Sequence, residues 1–354
     1  MKAIKLIEPG KAKVADDVPI PHLRDDYILA DTRAWALNPA DLHHVKHLAI
    51  PGCTIGCDWS GVVREVGRNI TRFKVGDEVF GICRGGNSLN VEDGAFAEVI
   101  TAKEHAVFHK PEDMSFEEAA TMAVALVTVG QVFYHTMGLE HWPVADGAQA
   151  NGRTIMVYGA SSATGTIAVQ IAKLAGYKVL ATSSPANFSM LKSRGADHIY
   201  DYRDPNTINT IKSQANDNDT ITAILDCIGT DEIAAFCANV LSSTGGKYHT
   251  VSLSVPPVFK ELRPEPEVVA TTALAYTLFG EDVEMRGLFT IPARAEEYEF
   301  AGRWQGVVEG LLRRDRIVPH PVQDGGVGLE AVLRAIEGFG GLGPSGRKVV
   351  CAVG

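Results

Sequence analysis

The chain has 354 residues, of which 45% are hydrophobic and 21% charged, and its formal net charge is −10. That length suits two domains with a large core, and the acidic balance argues against a nucleic-acid partner. No apolar run approaches the length of a membrane span, and the opening MKAIKLIEPGKAKV lacks a signal-peptide core and reads as a strand, so a cytoplasmic protein with no membrane contact is expected.

From residue 1 to about 120, strand-like runs at 27–36, 61–66 and 98–100 alternate with Gly and Pro turns, which predicts a mostly β domain. The six cysteines, Cys53, Cys57, Cys83, Cys227, Cys237 and Cys351, have no regular spacing and read as reduced, buried thiols. From about 121 to 275 the pattern changes to strand, helix, strand, with apolar or β-branched runs at 221–227 and 247–252. A doubly wound parallel sheet has this pattern.

Within that region lies TIMVYGASSATGTIAVQIAKLAG, residues 154–176. Ile155, Met156, Val157 and Tyr158 form a short apolar run suited to a buried parallel strand. Apolar residues then recur at helical spacing through Ile167, Val169, Ile171, Ala172 and Leu174. Between strand and helix, Gly159, Ser161, Ser162, Ala163, Thr164 and Gly165 carry little bulk, so the backbone can approach a phosphate while the helix N-terminus points at its charge. The turn is a degenerate dinucleotide fingerprint, and an ordinary tight α/β turn reads the same way. A second strand at 177–182, followed by a loop opening another helix, favours the dinucleotide reading.

The end of that second strand bears on the cofactor. A carboxylate there would bond the ribose 2′-hydroxyl of NAD, whereas the chain offers Thr182, Ser183, Ser184 and Asn187. Neutral donors favour NADPH, and Lys192, Tyr202 or Arg203 could complete a phosphate pocket or simply be solvated. The tail returns to a mixed pattern, with amphipathic helices near 296–314 and 328–337 and a last strand at 348–353.

The whole chain resembles the medium-chain dehydrogenase/reductase superfamily. The carrying residues are Asn38-Pro39-Ala40-Asp41, Gly56-Cys57-Asp58-Trp59-Ser60-Gly61 with Val66-Gly67, Val75-Gly76-Asp77-Glu78-Val79-Phe80-Gly81, Asp93-Gly94-Ala95-Phe96-Ala97-Glu98 and the nucleotide turn. The resemblance implies an α/β architecture. A GroES-like β domain would take residues 1–120 and 276–354, and a Rossmann domain with a doubly wound parallel sheet would take 121–275. Zinc-dependent members carry an early Cys, a Gly-His-Glu triplet and a four-cysteine lobe. Here the triplet reads Gly56-Cys57-Asp58 and the other cysteines are missing, so no metal is expected. A shuffled zinc site from His43, His47, Cys57 and Asp58 is the alternative.

Within the zinc-free branch the chain is most similar to the fungal trans-acting enoyl reductases of highly reducing polyketide synthases. The motifs are Leu180-Ala181-Thr182-Ser183-Ser184-Pro185-Ala186-Asn187-Phe188, Lys192-Ser193-Arg194-Gly195-Ala196 with Asp201-Tyr202-Arg203, Leu225-Asp226-Cys227-Ile228, Val251-Ser252-Leu253 and Leu278-Phe279-Gly280-Glu281. The insertion at 140–153 also fits that group. The resemblance implies that NADPH gives hydride to the β-carbon of an enoyl thioester on the synthase's acyl carrier domain, followed by protonation at the α-carbon. Catalysis would then rest on positioning and electrostatics.

By the family pattern, Thr128 and the backbone near Leu278 and Phe279 touch the nicotinamide end. Gly159, Ser161, Ser162, Ala163 and Thr164 serve the pyrophosphate, and Ser183, Ser184, Asn187 and Tyr202 serve the adenosine. Ser345, Arg347 or Lys348 reaches over from the last loop. Where the family often has a substrate-facing lysine this chain has His43, the expected catalytic donor, with His44 beside it. Arg313, Arg314 and Arg316 could dock an acidic carrier, or form a solvated helix face. A monomer is expected. Two other readings remain open: a free-standing quinone or enone reductase of the same superfamily, and a non-catalytic NADPH-binding partner of a synthase.

Overall fold

The structure is a computed structural model that describes residues 1–214, 220–339 and 343–354. Its strands in chain order are β1 (Ala3–Glu8), β2 (Lys11–Ala15), β3 (Tyr27–Ala36), β4 (Asp58–Val66), β5 (Glu78–Ile82), β6 (Val99–Lys103), β7 (Val107–His109), β8 (Thr154–Tyr158), β9 (Lys178–Ser183), β10 (His198–Asp201), β11 (Ile221–Asp226), β12 (Gly246–Thr250), β13 (Val268–Thr272), β14 (Val283–Met285), β15 (Phe289–Ile291), β16 (Val322–Val327) and β17 (Lys348–Ala352). They fall into two units. The first comprises Met1–Val127, Tyr276–Arg313 and Pro319–Gly354; the second comprises Thr128–Ala275 and Arg314–Val318.

The first unit is built on a sheet in the order β16-β17-β3-β4-β5-β7, with β6 also pairing β3. β3 and β4 run antiparallel with two register shifts, so each strand bends and the sheet curls around its inner face. That face is filled by Trp35, Trp59 and Phe96 beside Ile28, Val63 and Val107, all buried. β17, the last element of the chain, lies between β16 and β3 and pairs with both. Charged and glycine-rich turns flank the apolar runs, which is why the Gly/Pro punctuation of the sequence maps onto strand ends. The opening residues form the β1-β2 hairpin rather than one strand.

The second unit holds a six-stranded sheet in the order β10-β9-β8-β11-β12-β13. Every pairing in it is parallel. Numbered by their own sequence order these strands read 3-2-1-4-5-6, the doubly wound arrangement whose ligand crevice lies at the carboxyl ends where the order reverses, between β8 and β11. β8 is buried at all five positions, as a strand covered on both faces requires. One expectation is corrected: the helical run Phe116–Thr136 is 21 residues long and apolar enough to span a membrane by length and composition, although most of it is buried within the protein.

Candidate functional site

The candidate nucleotide site of the second unit starts where β8 stops. Gly159 takes a left-handed φ of 70° and turns the chain; its amide donates to Thr182 Oγ1 at 3.1 Å, and the Ala160 amide donates to Thr182 O at 3.0 Å. Residues 163–174 then form the helix Ala163–Leu174, with Ser162 as its N-cap accepting from the Gly165 amide at 3.0 Å. The next amides toward the N-terminus, those of Ala163 and Thr164, have no intrahelical acceptor, which is the condition for anion binding at a helix start. A Cβ on Gly165 would stand 2.5 Å from Gly159 O and 2.6 Å from Ala160 Cα. Only glycine lets the helix sit this close to the strand. The backbone therefore makes a tight cradle in which the Ala163 and Thr164 amides are the donors a phosphate would meet.

At the end of β9, Ser183 is buried, and its hydroxyl has no hydrogen-bond partner. Ser184 Oγ accepts from Asn187 Nδ2 at 3.2 Å, which gathers the neutral polar groups of this loop. Tyr202, beyond β10, is 45% exposed, and its ring lies 6.3 Å from that of Tyr158. Arg203 lies over the Tyr202 ring and bonds Asp201 at 3.2 Å. The cradle and the unsatisfied Ser183 hydroxyl fit a dinucleotide.

On the other side of the switch point Asp226 ends β11. Its Oδ1 accepts the amides of Ile228 at 2.9 Å and Gly229 at 3.0 Å, and its Oδ2 accepts the Tyr248 hydroxyl at 2.7 Å. Burial pushes its carboxyl up from the ordinary value, while these three donors oppose that shift. Asp226 thus fixes the turn whose Ile228 side chain faces Gly159. The sequence flagged Asp226 only as part of a motif; its role follows from a partner 22 residues away.

The first unit contributes a buried polar chain. α1 (Pro39–His43) opens with a capping box in which Asp41 Oδ2 accepts the Asn38 amide at 2.7 Å, and a π-helical turn, His44–Leu48, continues it. A carboxylate oxygen of Asp41 lies within 4.8 Å of the Cys57 sulfur, Cys57 Sγ lies 3.0 Å from the Tyr276 hydroxyl, and that hydroxyl is 3.4 Å from His44 Nε2. Burial raises the Asp41 carboxyl to about 7 and lowers His44 to about 4; it also pushes the Cys57 thiol and the Tyr276 phenol well up. His44, Cys57 and Tyr276 are therefore held in their neutral forms at neutral pH, while the Asp41 carboxyl is close to half protonated there. Asp41, His44 and Cys57 are the one trio among the described residues with metal-ligand atoms close together. Cys57 Sγ and His44 Nε2 meet the Tyr276 hydroxyl and Asp41 Oδ2 accepts the Asn38 amide, while Asp41 Oδ1 and His44 Nδ1 have no hydrogen-bond partner. The shuffled set of His43, His47, Cys57 and Asp58 is not assembled: His43 is exposed, and Asp58 is taken by Asn38 Nδ2 at 3.0 Å, the Val124 amide at 2.8 Å and the Lys348 ammonium.

The remaining expected residues separate. His43 lies at the exposed end of α1, and its imidazole is held below the ordinary value by partial burial and by His47 and Lys46. Thr128 is half-buried in the helix Ala123–Gly130. Leu278 and Phe279 are buried in the 3-10 turn Ala275–Phe279. The stretch just after that segment is anchored: Arg84 donates to Asp282 O at 2.6 Å and Glu284 O at 3.1 Å, while Glu281 Oε1 accepts from Tyr27 at 2.6 Å and Lys103 at 2.7 Å. Ser345 is exposed in the turn before β17. Lys348 departs from expectation. Its ammonium is buried against Asp58 and does not reach out over a ligand. Ser162 likewise spends its hydroxyl on capping its helix, leaving backbone as what it can offer a ligand.

Comparison with known proteins fits this geometry. The family described as alcohol dehydrogenase GroES-like domain matches residues 24–112, and that described as zinc-binding dehydrogenase matches 163–288. The trans-enoyl reductase resD of Aspergillus sclerotiorum is 38% identical over 364 aligned residues, covering 100% of both chains. The chain belongs to the medium-chain dehydrogenase/reductase family, among the trans-enoyl reductases. The trans-enoyl reductase TOXD of Cochliobolus carbonum is 41% identical over 282 residues, 79% of this chain and 91% of that protein. Among solved structures, the CurK enoyl reductase superposes with a TM-score of 0.74 at 20% identity, covering 100% of this chain and 99% of that one. An alcohol dehydrogenase superfamily protein from Novosphingobium aromaticivorans reaches 0.78 at 17% identity, covering 100% of each chain. These structural likenesses bear on the fold alone, the family's GroES-like unit joined to a Rossmann unit. Members of the medium-chain dehydrogenase/reductase family with enoyl reductase activity use a nicotinamide cofactor, and the Gly159–Gly165 cradle lies at its place in the sheet.

Proposed function

We propose that the protein is a trans-acting enoyl reductase that reduces the α,β-double bond of an enoyl thioester held on the acyl carrier domain of a highly reducing polyketide synthase, with NADPH as reductant. The observation that carries the reading is end-to-end similarity, at 38% identity, to a protein named a trans-enoyl reductase. The choice of NADPH is supported by the neutral end of β9, where Thr182, Ser183 and Ser184 stand in place of a carboxylate that would repel a 2′-phosphate.

In this reading the bound cofactor supplies a hydride. The Ala163 and Thr164 amides hold its pyrophosphate, with Gly159 and Ser161 shaping the turn. Ser183, Ser184, Asn187 and Tyr202 bind the adenosine end, and Thr128 with the Leu278 and Phe279 backbone serves the nicotinamide end. Negative charge develops on the thioester oxygen during reduction, and a donor placed there lowers the barrier. His43, kept neutral below its ordinary pKa, is the donor we assign, and protonation at the α-carbon completes the reduction. No group in the chain needs to form a covalent bond to substrate.

The test is NADPH consumption with crotonyl-pantetheine and longer enoyl thioesters, run beside NADH, a simple quinone and a chelator. Chelator-resistant oxidation of NADPH with the thioesters is expected. Preference for the quinone would replace this reading with that of a free-standing quinone reductase.

A further inference from the structure

Residues 276–279 belong to the first unit and carry the Leu278 and Phe279 backbone that the reading above gives to the nicotinamide. Side chains from distant parts of the chain hold this short stretch. Thr277 Oγ1 donates to Glu297 Oε2 at 3.0 Å, a buried contact with the helix Ala295–Leu312. Gly280, at a left-handed φ of 65°, lets the chain leave close past Tyr298; a Cβ there would stand 2.7 Å from the Tyr298 Cβ. Just beyond, Glu281 accepts from Tyr27 and Lys103, and Arg84 donates to the Asp282 and Glu284 carbonyls. These contacts fix where the stretch ends.

Its beginning is held by Tyr276. That residue is buried, with its ring 6.2 Å from the Phe279 ring and 5.8 Å from the His44 ring. Its hydroxyl lies 3.4 Å from His44 Nε2 and 3.0 Å from Cys57 Sγ. A phenol has one proton to give and lone pairs to accept with, so it can serve both neighbours at once. His44 has less choice. Its Nδ1 has no hydrogen-bond partner, which leaves the Tyr276 hydroxyl as the one polar contact of the ring among the described residues. A Cβ on Gly86 would stand 3.3 Å from His44 Cβ and Cγ, so the backbone at Gly86 packs directly on the imidazole. His44 follows His43, and its amide closes α1 by donating to Ala40 O and Asp41 O. The position of His44 therefore sets the backbone that bears His43.

We propose that Tyr276 is a positioning residue for the reduction: its hydroxyl ties residues 276–279 to the π turn His44–Leu48, and so holds the backbone assigned to the nicotinamide at a fixed separation from the end of α1 that bears His43. The proposal rests on the roles given to Phe279 and His43 in the reading above and adds the group that keeps them in register. Hydride transfer depends steeply on such a separation, since a misplacement of about 1 Å costs on the order of 100-fold in rate. Affinity, set by contacts spread over a whole ligand, changes little.

The experiment measures kcat, KM and the isotope effect on kcat, using NADPH deuterated at the transferred position and crotonyl-pantetheine as acceptor, in the full chain and in Tyr276→Phe, His44→Leu and His44→Gln. Tyr276→Phe should lower kcat roughly tenfold, about 1.4 kcal/mol, and raise the isotope effect. KM and NADPH affinity should stay within about twofold. A role in folding alone would lower kcat through loss of folded enzyme and leave the isotope effect where it was. His44→Leu should match Tyr276→Phe, and their combination should lose no more than either alone. His44→Gln, which keeps a polar atom near the place of Nε2, should restore most of kcat. An unchanged isotope effect, or losses that add in the double variant, would overturn the positioning role and leave the reductase standing. If only a quinone oxidises NADPH, the enoyl reading falls, and the isotope effect measured with the quinone decides the role of Tyr276 in the same way. No oxidation with any acceptor would overturn both.

Discussion

Lys348 and Asp58 form an ion pair in which both side chains are almost wholly removed from water, 4% and 0% exposed. Asp58 also accepts from Asn38 and from the Val124 amide, and Lys348 donates to Thr121 O, so the pair ties β4, β17 and the start of two helices together. Removing one partner leaves a buried charge with no compensation. Lys348→Met should therefore cost about 3–5 kcal/mol in denaturant unfolding, and adding Asp58→Asn should recover part of that loss. A double variant destabilised by the sum of the two single losses would show that the pair has no coupling energy.

Ser183 holds an unpartnered buried hydroxyl at the end of β9. Without ligand, Ser183→Ala should leave stability unchanged or raise it by up to about 1 kcal/mol, because an unsatisfied group is removed. With ligand, NADPH affinity should weaken roughly tenfold while NADH affinity moves less. Fluorescence titration with both nucleotides measures this. Identical loss for the two would separate Ser183 from recognition of the 2′-phosphate.

Gly165 leaves no room for a methyl group against Gly159 O and Ala160. Gly165→Ala should push the helix off the strand, lowering the melting temperature and weakening nucleotide binding at least tenfold. Wild-type affinity in this variant would mean that the cradle does not hold the pyrophosphate.

His109 is clasped between two carboxylates, with Nδ1 2.8 Å from Glu309 and Nε2 3.5 Å from Asp77, and Phe73 packs on its ring. The Glu309 hydrogen bond raises its pKa despite partial burial; Glu309, although burial works against it, is held low by His109 and Arg72. The raised histidine stabilises the fold fully below its unfolded value of 6.5, and that contribution is lost as pH rises through the folded value. The depressed carboxyl stabilises above 4.5 and is lost as pH falls. Melting temperature should peak between these limits, and His109→Gln should flatten the alkaline side. An unchanged alkaline slope in the variant would assign it to other groups.

The strand, small-residue turn and helix at 154–174 were legible because two local periods meet at a glycine whose conformation the turn requires. The substrate-side cluster was not. His43 and His44 are neighbours, yet one is exposed and the other buried, because a five-residue helix has too few residues to reveal its buried face. The choice is made by packing from outside, where Gly86 lies against the His44 side chain. Cys57 and Tyr276 meet across 219 residues, and Arg84 reaches Asp282 across 198. Such pairings carry no local signal, so the Asp41-Cys57-Tyr276-His44 chain and the Arg84 and Glu281 anchors emerge only from the fold. Lys348 read as a cation reaching over the ligand for the same reason.

The seating of β17 between β16 and β3 sets an order on synthesis. The second unit is drawn almost wholly from one continuous stretch, and its six strands can assemble while the ribosome is still at work. The first unit emerges earlier but lacks an interior strand until β17 has been made, so its Trp35 and Trp59 core waits with an open edge. Loss of β17 would cost this unit more than a larger deletion at a loop, and the nascent chain has most need of a chaperone over β3.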